Sequence, residues 1–466
     1  EFHDILPGTS IRRVNQEAEE ALEQVERESR ELGEALLGRL AGGSALFNSL
    51  SWERDLGELR LPACGYVRLG RDEGVRFFRS REEDPGKGPE EERHDGTENR
   101  ELSGEIDSIS FENEFYSIHM DSRGRITSLV SRPEGYEYAA EPLNQWKLYR
   151  DVNVDYDAWE LGRMYEQATE ALSGSAVLRR ELHSDGSVTA AVELQEEYFT
   201  AKQRIRFRKD SPRIDFETVI DWRERHRILK ADFPTTVYTK EVLQEIQFGY
   251  IRRPTHKSRQ YEQDLYETCH HKYAVLTDGE NGFALLNDCK YGLSAEDSRL
   301  SLTLLRAPVM PDSTADQKVQ RFTYSILPFS GPFVNSRVTE EAYECNVQVT
   351  AAGLENRRPE EMGSISGRAF PEAVSFFHLE GGHVILETCK PAFDRRDGVV
   401  LRLYEAKGCA GETTLFVPHQ VKRVFACNLL EEAGEELALS DGKLRLRFRS
   451  FEIRTLLLVV SDGSRD

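Results

Sequence analysis

The chain has no uninterrupted apolar run of about 18 residues, so no segment is suited to cross a bilayer as a helix. It contains no GxGxxG, no phosphate-binding loop pattern and no GxSxG, which sets aside nucleotide binding and serine-hydrolase chemistry. CxxC is also missing, which argues against a structural zinc ribbon. The 7 cysteines, Cys64, Cys269, Cys289, Cys345, Cys389, Cys409 and Cys427, are odd in number and show no paired spacing. That usage fits reduced thiols in a cytoplasmic protein better than a secreted disulfide framework. Positive charge is scarce: 61 Lys and Arg stand against 82 Asp and Glu, a net charge of -21. A basic face for nucleic acid or an anionic membrane is therefore not expected, and a neutral substrate is. What the chain does have is length, 466 residues with 39% hydrophobic and 31% charged. This is the composition of a soluble globular protein too long for one core, expected to divide into about three or four domains.

The opening Phe2-His3-Asp4-Ile5-Leu6-Pro7-Gly8-Thr9-Ser10 reads as a loop ending in helix-capping residues. A helix is expected from Ile11 to Leu40, because Ile11, Val14, Ala18, Ala21, Leu22, Val25, Leu32, Ala35, Leu36 and Leu40 recur at three and four spacings. At about 1.5 Å per residue it spans roughly 45 Å. Such a stripe cannot bury itself alone; it needs a later sheet or neighbouring helices encoded upstream. Short strands follow at Leu46 to Trp52, Gly57 to Pro62 and Gly65 to Leu69, then a Glu, Pro, Gly and Asp-rich stretch from Arg79 to Ser103 that reads as a solvated linker.

From Ile106 to Pro332 strands come at short intervals, among them Val188 to Leu194, Gln203 to Arg208 and Ile214 to Trp222, which implies a large antiparallel sandwich. The last part repeats the strand pattern at Val384 to Thr388, Val399 to Tyr404, Thr413 to Val417 and Ile453 to Val460 and reads as a separate small sandwich. The expected fold is mainly β. It begins with a long helix and a small β-domain, continues as a large antiparallel β-supersandwich and ends in a carboxy-terminal β-sandwich. The expected divisions are 1–44, 45–104, 105–335 and 336–466.

The stretch that organises the chain is Ile246 to Pro308. Tyr273 to Leu276, Gly282 to Leu286 and Leu300 to Leu305 alternate with period two and are separated by turn residues, so an antiparallel meander is expected. Its turns carry Arg253, His256, His270, His271, Asp288, Lys290, Tyr291 and Arg306, more polar and aromatic side chains than hairpins need. The four residues Arg253, His256, His270 and His271 lack metal-ligand spacing and read as hydrogen-bonding groups of sheet and turn.

The run RPTH...YE.C.HK...L.......ALLNDCKYG.......L.L.LLRAP, the stretch Asp151-Val152-Asn153-Val154-Asp155-Tyr156-Asp157-Ala158-Trp159-Glu160 and the opening Phe2 to Ser10 resemble the carboxy-terminal half of the glycoside hydrolase family 38 α-mannosidases. The resemblance covers almost the whole chain except Arg79 to Ser103. It implies that the long helix is a remnant of a helical middle domain. It also implies that the chain begins inside a motif, with a catalytic barrel domain encoded before it.

The resemblance implies a retaining, zinc-dependent hydrolysis of α-mannosyl oligosaccharides. It makes His3 one zinc ligand, the other ligands lying upstream, and Asp4 a substrate contact. Read without it, His3-Asp4 is an ordinary surface pair. The nucleophile and acid, which must stand about 5 Å apart across the glycosidic bond, are expected outside this chain, so the chain alone is expected to be inactive. Asp157 and Trp159 are candidate sugar contacts, ring stacking on a pyranose and carboxylate accepting from hydroxyls. The competing reading buries Trp159 in a core and leaves the aspartates to a turn. Arg306 is a further candidate substrate contact. Expected partners are an α-mannosyl glycan and the upstream catalytic domain, with no nucleic acid and no membrane and with homo-oligomerisation open. The alternative is a non-catalytic β-sandwich protein that binds carbohydrate or a partner.

Overall fold

In the computed structural model the described residues are 4, 8–57, 59–70, 101–151, 156–352 and 371–460. His3, Asp155 and most of the acidic stretch lie outside them. The chain falls into two units, one made of Glu1–Glu23, Asp84–Ile246 and Ile251–Asn346, the other of Gln24–Glu83, Gln247–Tyr250 and Val347–Asp466.

The first unit is built on a ten-stranded and a six-stranded antiparallel sheet. Strand Phe199–Phe207 shows why these segments are strands: Phe199, Ala201, Gln203, Ile205 and Phe207 point inward while their neighbours stay outside, and it pairs in full register with Ile214–Trp222. Phe216 and Tyr324 from the larger sheet meet Phe233, Leu302 and Leu148 from the smaller one in a single buried core. Trp222 belongs to that core and stacks on Phe199 at 5.6 Å. Inside the core, Gln203 donates to Thr218 (3.0 Å) and to the Tyr324 hydroxyl (2.8 Å), and that hydroxyl donates to Asn144 (2.6 Å). Asn144 returns a donor to Gln203 at 2.9 Å, so the buried polar ring is closed and fixes the stacking of the two sheets.

The expected meander is corrected here. Tyr273–Thr277 and Asn281–Asn287 do form a hairpin around Asp278, whose carboxylate accepts from the Asn281 amide at 2.7 Å. The third alternation, Arg299–Arg306, belongs to the six-stranded sheet, between Arg227–Pro234 and Gly292–Glu296. The turn after Asn287 carries the chain across: the Asp288 amide donates to the Thr323 carbonyl at 3.1 Å and Asn287 Oδ1 accepts from the Lys290 amide at 2.8 Å. Asn281-Gly282, a pair of turn-forming type, does not turn but opens the second strand of this hairpin. Gly282 lies within its strand, and a Cβ there would come within 2.0 Å of the Phe329 ring.

In the second unit Ala45–Asn48 and Gly65–Arg68 pair at the centre of a four-stranded sheet, with Thr350–Ala352 and Ala373–Ser375 as outer strands. A five-stranded sheet and a three-stranded sheet then form the carboxy-terminal sandwich over Leu401, Leu403, Leu415, Val424, Leu446, Phe448, Leu456 and Leu458. Helix Arg12–Ala41 is present at the expected place. Its apolar stripe is exposed: Leu22 is 68% exposed, Val25 59% and Leu32 61%, while only Leu37, Gly38 and Ala41 are buried.

Candidate functional site

The outer face of the six-stranded sheet is polar yet buried. Strand Arg227–Pro234 turns Lys230 and Asp232 to this side, where they are 1% exposed, and Ser301 of the neighbouring strand joins them. Two excursions meet this face through their side chains: Tyr165 of the first and Glu267 of the second both contact Lys230. Lys230 donates to the Tyr165 hydroxyl at 3.1 Å and forms an ion pair with Glu267, and the hydroxyl donates to Glu267 at 2.6 Å. Burial and the neighbouring Glu267 push the Tyr165 phenol far above its usual range, so it stays a donor.

The turn that follows Asp151 projects from this base. Arg306, at the end of its strand, lies beneath it. Its Nε donates to Asp151 Oδ2 at 2.7 Å, Nη1 to the Ala158 carbonyl at 3.1 Å and Nη2 to the Asp157 carbonyl at 2.6 Å. Nη2 also reaches the Glu160 carbonyl. The planar guanidinium suits this gathering of acceptors, which a point-charge ammonium would not achieve. The Asp157 carboxylate accepts from the amides of Val309 (2.7 Å) and Met310 (3.0 Å), and the Ala158 amide donates to the Met310 carbonyl at 3.2 Å. The turn is thus tied to the loop after Arg306. Tyr156 takes a left-handed conformation, φ 57°, and its carbonyl accepts from the Trp159 amide at 2.8 Å.

Asp157, Trp159 and Arg306 are therefore brought together. Trp159 is 49% exposed and Tyr156 70%, so the indole is outside every buried cluster. Asp4 is exposed, on the segment whose Thr9 amide donates to the Asp4 carbonyl at 2.7 Å. That segment continues into Asn15, whose amide group is 3.5 Å from Asp312 in the same 307–318 loop. His3 lies outside the described residues. Among the described residues no three His, Cys, Asp or Glu side chains are grouped to hold a metal ion. The described residues thus do not make a zinc site by themselves.

Near the turn, Asp316 takes φ 59° and its carboxyl is raised by burial, with Lys290 opposing the shift. Asp288 is likewise raised by burial. Arg253, His256, His270 and His271 each have a different set of partners. Arg253 bonds Gln244 and the Cys269 carbonyl, His256 faces Glu262 at 3.3 Å, and His271 packs on Tyr291 at 5.3 Å between ring centroids. His270 is fully buried between the Tyr291 carbonyl and the Asn287 side chain. Tyr156, Tyr266 and Asp151 went unassigned in the sequence. All three stand within the family-like motifs, which is the one signal that could have found them.

Residues 111–314 match the glycosyl hydrolases family 38 C-terminal domain, and residues 383–456 match the glycosyl hydrolases family 38 C-terminal beta sandwich domain. The chain belongs to glycosyl hydrolase family 38. Among curated relatives it is 30% identical to Alpha-mannosidase 2C1 of Homo sapiens over 488 residues, covering 99% of this chain and 44% of the relative. It is 31% identical to Alpha-mannosidase G of Dictyostelium discoideum over 376 residues, covering 78% of this chain and 33% of that protein. The chain thus spans less than half the length of these relatives. The crystal structure of an alpha-mannosidase from Enterococcus faecalis V583 shares the fold at a TM-score of 0.61 and 14% identity, covering 77% of this chain and 43% of that one. The family 38 match at 111–314 contains the turn, the Lys230 base and Arg306.

Proposed function

We propose that this chain is the substrate-side and scaffolding portion of a retaining α-mannosidase acting on α-mannosyl oligosaccharides. The observation that carries the reading is the Tyr156 to Glu160 turn, which holds two exposed aromatic side chains on a fixed backbone inside the family-matched region. Aromatic faces of this kind stack on the apolar side of a pyranose. The nucleophile and acid are supplied by residues outside the chain, and the enzyme's zinc is held there with His3 as one ligand. The exposed stripe of helix Arg12–Ala41 supports an upstream part that covers it. Cytoplasmic residence is part of the proposal, supported by seven cysteines that are all free thiols.

The test compares nitrophenol release from its α-mannoside by this chain and by the protein extended upstream. The extended protein is expected to turn the substrate over and the chain alone to stay at the background rate. Turnover by the chain alone would mean that the nucleophile lies within it. In the extended enzyme Trp159→Ala is expected to raise KM roughly tenfold, the loss of about 1–2 kcal/mol of stacking. A half-exposed side chain contributes little to the fold, so the melting temperature should stay within about 2 °C. A large drop in melting temperature would return Trp159 to a structural role.

A further inference from the structure

The turn that presents Trp159 is held from two sides, and its second anchor lies on a residue with no role so far. The first anchor is Arg306, which takes the carbonyls of Asp157, Ala158 and Glu160. The second is Tyr266, whose hydroxyl donates to the next carbonyl along, Leu161, at 2.6 Å. Tyr266 and Leu161 both pack against the buried Tyr149, Tyr165 and Ile228, and Tyr149 meets Tyr165 edge to face at 5.3 Å. Glu267, adjacent in sequence to Tyr266, is paired to Lys230 on the sheet, so the hydroxyl is delivered from a rigid support.

Most backbone carbonyls of the turn already have protein partners. The carbonyls of Tyr156, Asp157, Ala158, Glu160 and Leu161 each accept a hydrogen bond, and the Asp157 carboxylate receives two backbone amides. Outward the turn exposes the side chains of Tyr156, Trp159 and Glu160, two aromatic rings beside one carboxylate.

We infer that this turn is a preset stacking platform for a pyranose ring and that Tyr266 is a positioning residue that fixes it. The inference rests on the carbohydrate reading above and assigns Arg306 and Asp157 to support of the turn.

The experiment is a double-mutant cycle in the upstream-extended enzyme with nitrophenyl α-mannoside, using Tyr266→Phe, Trp159→Ala and the pair. Tyr266→Phe keeps the ring and its packing and removes one hydroxyl. It is expected to raise KM roughly three- to tenfold, the worth of one hydrogen bond, with kcat unchanged. In the Trp159→Ala background it should add nothing, because both act through one group. Acrylamide quenching of Trp159, read as the difference between proteins with Trp159 and with Trp159→Phe, should increase in Tyr266→Phe while the melting temperature holds. Multiplying KM effects in the double variant, or unchanged quenching, overturns the positioning role. An unchanged KM in Trp159→Ala alone overturns the carbohydrate reading, and the quenching result then still decides whether Tyr266 fixes the turn.

Discussion

Arg306→Met is expected to destabilise the first unit by about 3–5 kcal/mol, the range for removing one partner of a buried ion pair. Asp151 is 1% exposed and its Oδ2 accepts from Arg306 Nε at 2.7 Å, so the substitution strands a carboxylate in a place where water does not reach it. The carbonyls of Asp157, Ala158 and Glu160 lose their donor in the same step. Methionine is close in length and fills part of the space, so the loss is electrostatic and not a cavity effect. Arg306→Lys should recover little, since one ammonium cannot reach acceptors spread around a planar fork. Urea unfolding of the two variants measures both effects. A loss under about 1 kcal/mol for methionine, or near-native stability for lysine, contradicts the clamp. With the turn as the proposed sugar platform, the same variants in the upstream-extended enzyme should lose more kcat/KM than Tyr266→Phe, which removes a single bond.

The contrast between Arg306 and Trp159 shows where sequence reasoning runs out. Helix Arg12–Ala41 was legible to within a residue at each end because thirty residues of 3.6 periodicity leave little choice. Strands such as Ile214–Trp222 and Ile453–Val460 were equally legible from their alternation. Which sheet a strand joins was not legible: alternation in Arg299–Arg306 states that one face is buried but not against what. The site divides in the same way. Residue types alone left Trp159 to a core and the family resemblance made it a candidate, whereas the acceptors of Arg306 lie 146 to 155 residues earlier in the chain and most are backbone carbonyls, which have no residue signature. Asp157 carried the type of a sugar ligand, but its carboxylate is occupied by the amides of Val309 and Met310, again a partner that only the fold reveals.

His270 gives the second large effect, as a function of pH. Its Nδ1 is 3.0 Å from the Tyr291 carbonyl and must donate, so Nε2 is the acceptor facing the Asn287 side-chain amide at 3.1 Å. A proton on Nε2 would face the donor Asn287 in a site that is 0% exposed, with Arg253 and His271 nearby opposing the charge. Burial accordingly lowers the imidazole from 6.5 to about 4. Between these values the unfolded chain takes up a proton that the fold refuses, so this contribution is complete above 6.5 and is lost as pH falls toward 4. Over that window His270 should remove about 3 kcal/mol of stability. The buried carboxyls Asp288, Asp316 and Glu341 are shifted upward and contribute a slope of opposite sign, but they are common to wild type and variant and cancel in the difference. His270→Gln supplies one donor and one acceptor without a titrating group. The stability difference between wild type and His270→Gln, followed by urea unfolding from pH 7 to pH 4, should therefore shift by about 3 kcal/mol in favour of the variant. Parallel pH profiles for the two proteins would show that the imidazole accepts its proton without leaving the fold.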